Sequence, residues 1–250
     1  MKSLRSHALN CRTVLWGRCA LLVIAAASAL PAEAVAMMGL PGPYYTPFLN
    51  VHRVKLGTWA EYAFTSDRVS GTWTQRIAVL ARDRKHTTVE LTVGGGPRGA
   101  LVPKVTQLLV PRDPKRARRP TGLVLQFGNN QPMRVPPEFE PLAPKETFYQ
   151  VNASELKGKP ETIEVPAGSF SAQRYTDDSQ VWLVWLSEKA LPFGVVKSEA
   201  IGRQVKMELV KQGQGAKSGL NGNPIPFDQD LYIQQARESV AGVAGFGDKP

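Results

Sequence analysis

The chain has 250 residues, 42% hydrophobic and 21% charged, a composition that supports a packed core and excludes disorder over the whole length. A chain of this size forms one domain, or two at most. The formal net charge is +10, and both cysteines, Cys11 and Cys19, fall within the first 36 residues, so the remainder is without a disulfide, a cysteine–zinc site or a cysteine nucleophile.

Residues 1–36 carry the pattern of a secretory signal peptide. Lys2, Arg5, Arg12 and Arg18 form a basic n-region, and Cys19 to Leu30 is an apolar run of twelve residues. Ala32-Glu33-Ala34 and Ala34-Val35-Ala36 are both small-x-small cleavage sites. A membrane span needs ~20 apolar residues, so the run is too short for an anchor. Cleavage is expected after Ala34 or Ala36, with a periplasmic or secreted product. Cys19 follows Arg18, which does not fit a lipoprotein processing site. Loss of residues 1–36 leaves 27 basic and 20 acidic residues, a balance of +7. Export argues against nucleic acid as a partner.

Residues 37–50, with Pro41, Pro43 and Pro47, read as an extended lead-in. A single β domain is expected over residues 51–210. Thr58 to Phe64 is a strand with Trp59 on one face and Tyr62 and Phe64 on the other. Thr72 to Ala81 is a second, with Trp73, Ile77 and Val79 on one side. The polar turn Arg82-Asp83-Arg84-Lys85 leads to a third, Thr87 to Val93, whose Val89, Leu91 and Val93 face the core. Short connections favour antiparallel pairing.

Gly94 to Gly99 matches G-x-G-x-x-G by letter. A phosphate cradle needs a helix directly afterwards, whereas Pro103 and the β-rich Val105 to Val110 follow, so these glycines read as a loop. Arg112, Lys115, Arg116, Arg118 and Arg119 lie between Pro111 and Pro120, opposed by Asp113 alone. This is a solvated turn or a contact with an anionic membrane or envelope surface. Leu123 to Phe127 is a further strand, and Gly128-Asn129-Asn130 its turn. Residues 132–160 hold six prolines and exclude a long helix, leaving room for a short one near Lys145 to Leu156.

From Glu161 to Val210 short strands follow one another. Ile163 and Val165 alternate with Glu164, and Val205, Met207 and Leu209 alternate with Lys206 and Glu208. Val181 to Leu186 is apolar throughout, as in a strand covered on both faces. Three pieces here, Val165 to Phe170, Val181-Trp182 and Pro192 to Lys197, together with Gly57 to Tyr62, resemble uncharacterised exported bacterial proteins related to the lipoprotein-carrier (LolA/LolB-like) superfamily. The resemblance implies a curved antiparallel sheet around an apolar cavity. After Val210, four glycines between Gln212 and Asn223 predict a flexible linker, and Asp228 caps a weakly amphipathic helix or tail running to about Val240.

The expected fold is mainly β: a curved antiparallel sheet or half-open barrel of about nine or ten strands with little helix, or in second place a β-sandwich. Little catalytic chemistry is legible. His52 and His86 have no partner at metal-ligand spacing and read as ordinary exposed histidines, no metal or cofactor is expected, and no G-x-S-x-G elbow exists. Glu61, Glu90, Glu164 and Glu199 lie in strands, and alternation puts them on wet faces. Three functions remain: a carrier of an acyl chain or other apolar ligand, an envelope interaction module with a filled core, or, least supported, an enzyme. In the carrier, Trp59, Tyr62, Trp73, Trp182 and Trp185 are the candidate ligand-binding residues. Trp182 and Trp185 are an odd number apart and face opposite sides, so one of them at most lines a given cavity.

Overall fold

The computed structural model describes residues 51–66, 69–94, 104–113, 121–136, 158–176, 182–200 and 205–244, all within the larger of two compact units, Met38–Pro250. They form β1 (Trp59–Ser66), β2 (Val69–Arg82), β3 (His86–Gly94), β4 (Val105–Pro111), β5 (Leu123–Gln126) and β6 (Met133–Val135). After a gap come β7 (Lys159–Val165), β8 (Gly168–Thr176), β9 (Trp182–Leu186), β10 (Val195–Ala200), β11 (Val205–Gly213) and β12 (Ile225–Pro226), then one helix, α1 (Gln229–Ala244). The fold is mainly β, a single open, curved sheet as expected. The described residues form twelve strands rather than nine or ten, because β6 and β12, with three residues and two, are too short to display a period.

The strand order is β12-β6-β5-β4-β3-β2-β1-β11-β10-β9-β8-β7. Two antiparallel meanders therefore meet side by side, β1 to β6 running outward and β7 to β11 running back until β11 pairs with β1. Among the described residues, the parallel pair is β12 on β6. The link from β6 to β7 passes through residues 137–157, and the expected short helix lies there, outside the described residues.

Alternation sets the core. β1 buries Ala60, Tyr62 and Phe64, and the register sets them against Ile77, Gln75 and Trp73 of β2. Val89 and Leu91 continue that face on β3, and Leu108 on β4. β2 begins at Val69, three residues earlier than its side-chain pattern predicts. The turn into β3 is closed by Asp83, whose carboxylate accepts the N–H groups of Lys85 (2.6 Å) and His86 (2.7 Å).

The second meander is strongly coiled. Val165 pairs with Gly168, leaving Pro166-Ala167 as a two-residue turn between β7 and β8, and Gly168 has φ +123°. The Ala167 N–H donates to Leu209 O of β11 at 3.1 Å, although three strands stand between β11 and β7 in the sheet. A flat sheet could not make that contact, since neighbouring strands are ~4.8 Å apart.

The segment after β11 departs from expectation. Composition predicts a flexible linker, yet this stretch is a strap laid across the sheet. The Ala216 N–H donates to Gly57 O at 2.9 Å, the Gly219 N–H to Glu90 Oε1 at 2.8 Å and the Asn221 N–H to Gln126 Oε1 at 3.0 Å. It then joins the sheet edge as β12 and enters α1. Asp228 caps that helix as expected, its Oδ1 accepting the Leu231 N–H at 2.9 Å. Tyr232 packs edge-on against the buried Phe127, with ring centroids 5.4 Å apart.

Candidate functional site

One cross-strand row organises the apolar face. In register, Tyr175, Val184, Ser198, Met207, Phe64 and Trp73 stand on the adjacent strands β8, β9, β10, β11, β1 and β2. All six are buried, and the row crosses the joint between the meanders without interruption. Phe64 and Trp73 stack with centroids 5.4 Å apart and planes 8° from parallel. Tyr62 lies one row along, between Leu209 and Gln75, and its hydroxyl donates to Val195 O at 3.1 Å. Burial pushes its phenol far above the usual tyrosine range. Ser198 is 2% exposed, and its Oγ has no hydrogen-bond partner among the described residues.

The opposite face is where the strap lies. Trp59 packs beneath it with the Arg76 guanidinium 4.4 Å from its ring centroid, and its Nε1 donates to Gln214 O at 3.3 Å. Gly213 must be small here, because a Cβ would stand 3.0 Å from the Trp59 ring. Glu90 is 3% exposed, which corrects its assignment to a wet face. Its carboxylate accepts from Gln107 Nε2, Ser218 Oγ and the Gly219 N–H, each at 2.8 Å. A buried carboxylate is tolerable only with such donors.

The four predicted ligand-binding residues whose side chains are described, Trp59, Tyr62, Trp73 and Trp185, do not share one face. Tyr62 and Trp73 belong to the apolar face and Trp59 to the strap face. Trp185 follows Val184 and so points away from the row. It is buried, its Nε1 donates to Glu161 Oε2 at 3.1 Å, and Lys197 Nζ lies 4.8 Å from its ring centroid. Arg174 approaches the same Glu161 oxygen at 3.7 Å. The backbone of Trp182 pairs with Ala200, and its side chain lies outside the described residues. Alternation made Trp59 and Tyr62 separable from sequence, whereas Ser198, set in the polar triplet Lys197-Ser198-Glu199, carried no signal of burial.

Of the basic cluster, Arg112 is described and exposed, its Nη1 donating to Asp83 O at 3.0 Å. Lys115, Arg116, Arg118 and Arg119 lie outside the described residues. His52 is half-buried rather than freely exposed, with Nδ1 2.8 Å from Thr87 Oγ1. Burial, then the charges of Arg112 and Arg82, lower its pKa. Among the described residues no group of three or more His, Cys, Asp or Glu is placed to hold a metal.

No family model matches the chain, and no curated protein does. Solved structures do match. A hypothetical protein from Chlamydia trachomatis is 13% identical, the match covering 70% of this chain and 95% of that one, with a TM-score of 0.44. MucB of Pseudomonas aeruginosa, in complex with MucA, is 10% identical over 70% of this chain and 54% of the other, with a TM-score of 0.37, so the chain spans about half the length of that relative. A protein from Bacteroides fragilis described as exported, with a YmcC-like fold, is 10% identical over 68% and 99%, with a TM-score of 0.33. No residue role passes from any of them to this chain.

Proposed function

We propose that this chain is an exported, non-catalytic envelope protein that works through its surfaces, its apolar sheet face being filled by its own side chains. The observation that carries this reading is the burial of Tyr62 and Trp73, 1% and 7% exposed against the protein's own atoms. A cavity for a drug-sized ligand occupies ~300–1,000 Å³, and side chains lining such a space do not pack fully against their neighbours. The Tyr62 hydroxyl is satisfied internally and the Trp73 ring is stacked, as in a packed core. Glu90, the buried carboxylate, is engaged in holding the strap. The signal-like pattern of residues 1–36 supports export.

A second reading, the acyl-chain carrier, is favoured by Ser198. A buried hydroxyl left without a hydrogen bond on an apolar face is the kind of polar handle that orients an amphiphile in an apolar pocket. The two readings part on one variant. In a filled core, Ser198→Ala removes an unsatisfied buried group and is neutral or stabilising by ~1–3 kcal/mol. The wild type is then expected to take up no fluorescent fatty acid and to show no co-purified lipid by native mass spectrometry. Saturable uptake of the probe by the wild type, weakened in Ser198→Ala, would replace the filled core with the carrier.

A further inference from the structure

Three segments meet at the end of the sheet where β2 turns into β3. Residues 51–57 are tied there by Arg82, whose Nη2 donates to Val51 O (2.9 Å) and Val54 O (2.6 Å). His52 reaches Thr87, the second residue of β3. The end of β4 joins them, because His86 pairs with Pro111 and the Arg112 N–H donates to Lys85 O at 2.8 Å. Sequence separation hides this convergence, since the three segments lie far apart in the chain.

The convergence concentrates charge. Arg53, Lys55, Arg84, Lys85 and Arg112 are all exposed here, and among the described residues the carboxylates at this end are Asp83 and Asp113. Asp83 is engaged by the N–H groups of its own turn and lies 3.8 Å from His86. The same end carries the two large apolar side chains that stand exposed among the described residues, Leu56 at 45% and Leu109 at 37%. Leu56 precedes Gly57, whose N–H donates to Val79 O near the end of β2. Leu109 pairs with Thr88 and stands three residues before Arg112.

We propose that this end of the sheet docks on an anionic lipid surface, the five cations meeting headgroup phosphates while Leu56 and Leu109 enter the interface. This deepens the surface-binding role proposed above by naming its partner. Basic residues near a charged bilayer are attracted over a Debye length, and leucines beside them gain by leaving water. A soluble polyanion would use the cations and give the leucines nothing. The coincidence of both features at one end therefore favours a bilayer.

The test is co-sedimentation of the exported protein with phosphatidylcholine vesicles, with and without phosphatidylglycerol. Wild type is expected to bind the anionic vesicles alone, and less at high salt. Each charge removed should weaken binding about fivefold, so Arg84→Ser/Lys85→Ser/Arg112→Ser should lose on the order of a hundredfold. Arg84→Lys/Arg112→Lys keeps the charge and should bind as wild type does, which separates charge from any damage to the fold. Leu56→Ser/Leu109→Ser should also bind more weakly. Equal binding by the charge-removing variant and wild type overturns the proposal. So does full vesicle binding by the leucine variant, because the leucines would then not enter the interface. Fatty-acid uptake bears on the filled core and leaves this outcome independent.

Discussion

His52 shows how a single residue changes meaning between sequence and structure. It is one of two histidines in residues 37–250, and the sequence offers it no partner at metal-ligand spacing. In the structure it is half-buried against Thr87, near the guanidinium groups of Arg82 and Arg112. Burial and those charges both disfavour the imidazolium, so its folded pKa lies below its unfolded value of about 6.5. Between the two values the unfolded chain binds the extra proton, so stability rises with pH through that window and is level above it. Stability contributed by neutral His52 should therefore be lost as pH falls from about 6.5 toward the folded pKa. Denaturant midpoints at about pH 7.5 and about pH 5.5 should differ more in wild type than in His52→Gln, and the ring should titrate below about 6.5 by NMR. An ordinary or raised NMR value would contradict this packing.

At the scale of an element, the β7–β8 hairpin illustrates a turn that acts beyond itself. Pro166 cannot donate to a ladder, and Gly168 adopts φ +123°, a conformation that L side chains rarely take. A Cβ on Gly168 would meet nothing within 4 Å, so substitution there carries a conformational cost and no steric one. Gly168→Val is expected to destabilise by about 1–3 kcal/mol in urea unfolding. Because the Ala167 N–H reaches Leu209 O, the damage should spread. A one-residue slip would reverse the faces of β7, and β11 would lose its contact with the turn. Unchanged stability in Gly168→Val would mean that the turn tolerates another geometry.

On the scale of the molecule, the strap binds the parts together. It starts at the joint of the two meanders, crosses the face carrying Glu90 and Gln126, and ends at the far edge as β12. A one-layer sheet has two faces, and a polar face that is covered must have its groups paired. Glu90, Gln107 and Gln126 meet that requirement with strap atoms. Amide hydrogen exchange separates this from a free linker. Gly219 and Asn221 should be protected to a degree approaching the β3 and β4 amides, since opening them requires unlatching Glu90 and Gln126. Exchange at the rate of an unstructured peptide at both positions would return the segment to the linker that its glycines suggest.

Much of the fold was written locally. Alternation separated Trp59 from Tyr62 on β1 and aligned the buried residues of β2 and β3, because side chains of a strand point to opposite faces in turn. Asp228 marked the start of α1, and Val165 to Gly168 marked a hairpin, because caps and tight turns depend on residues within reach of one another. Three features were decided only by tertiary structure. The pairing of β11 with β1, which carries the apolar row across both meanders, joins residues far apart in the chain. The convergence of residues 51–57, the β2–β3 turn and the end of β4 likewise depends on strand order. The burial of Glu90 depends on which wet face the strap covers, and nothing local distinguishes it from Glu164, which stays exposed. Glycine was the residue most easily misread. In the chain it signals freedom, whereas at Gly213 the missing side chain is what lets the backbone close against Trp59.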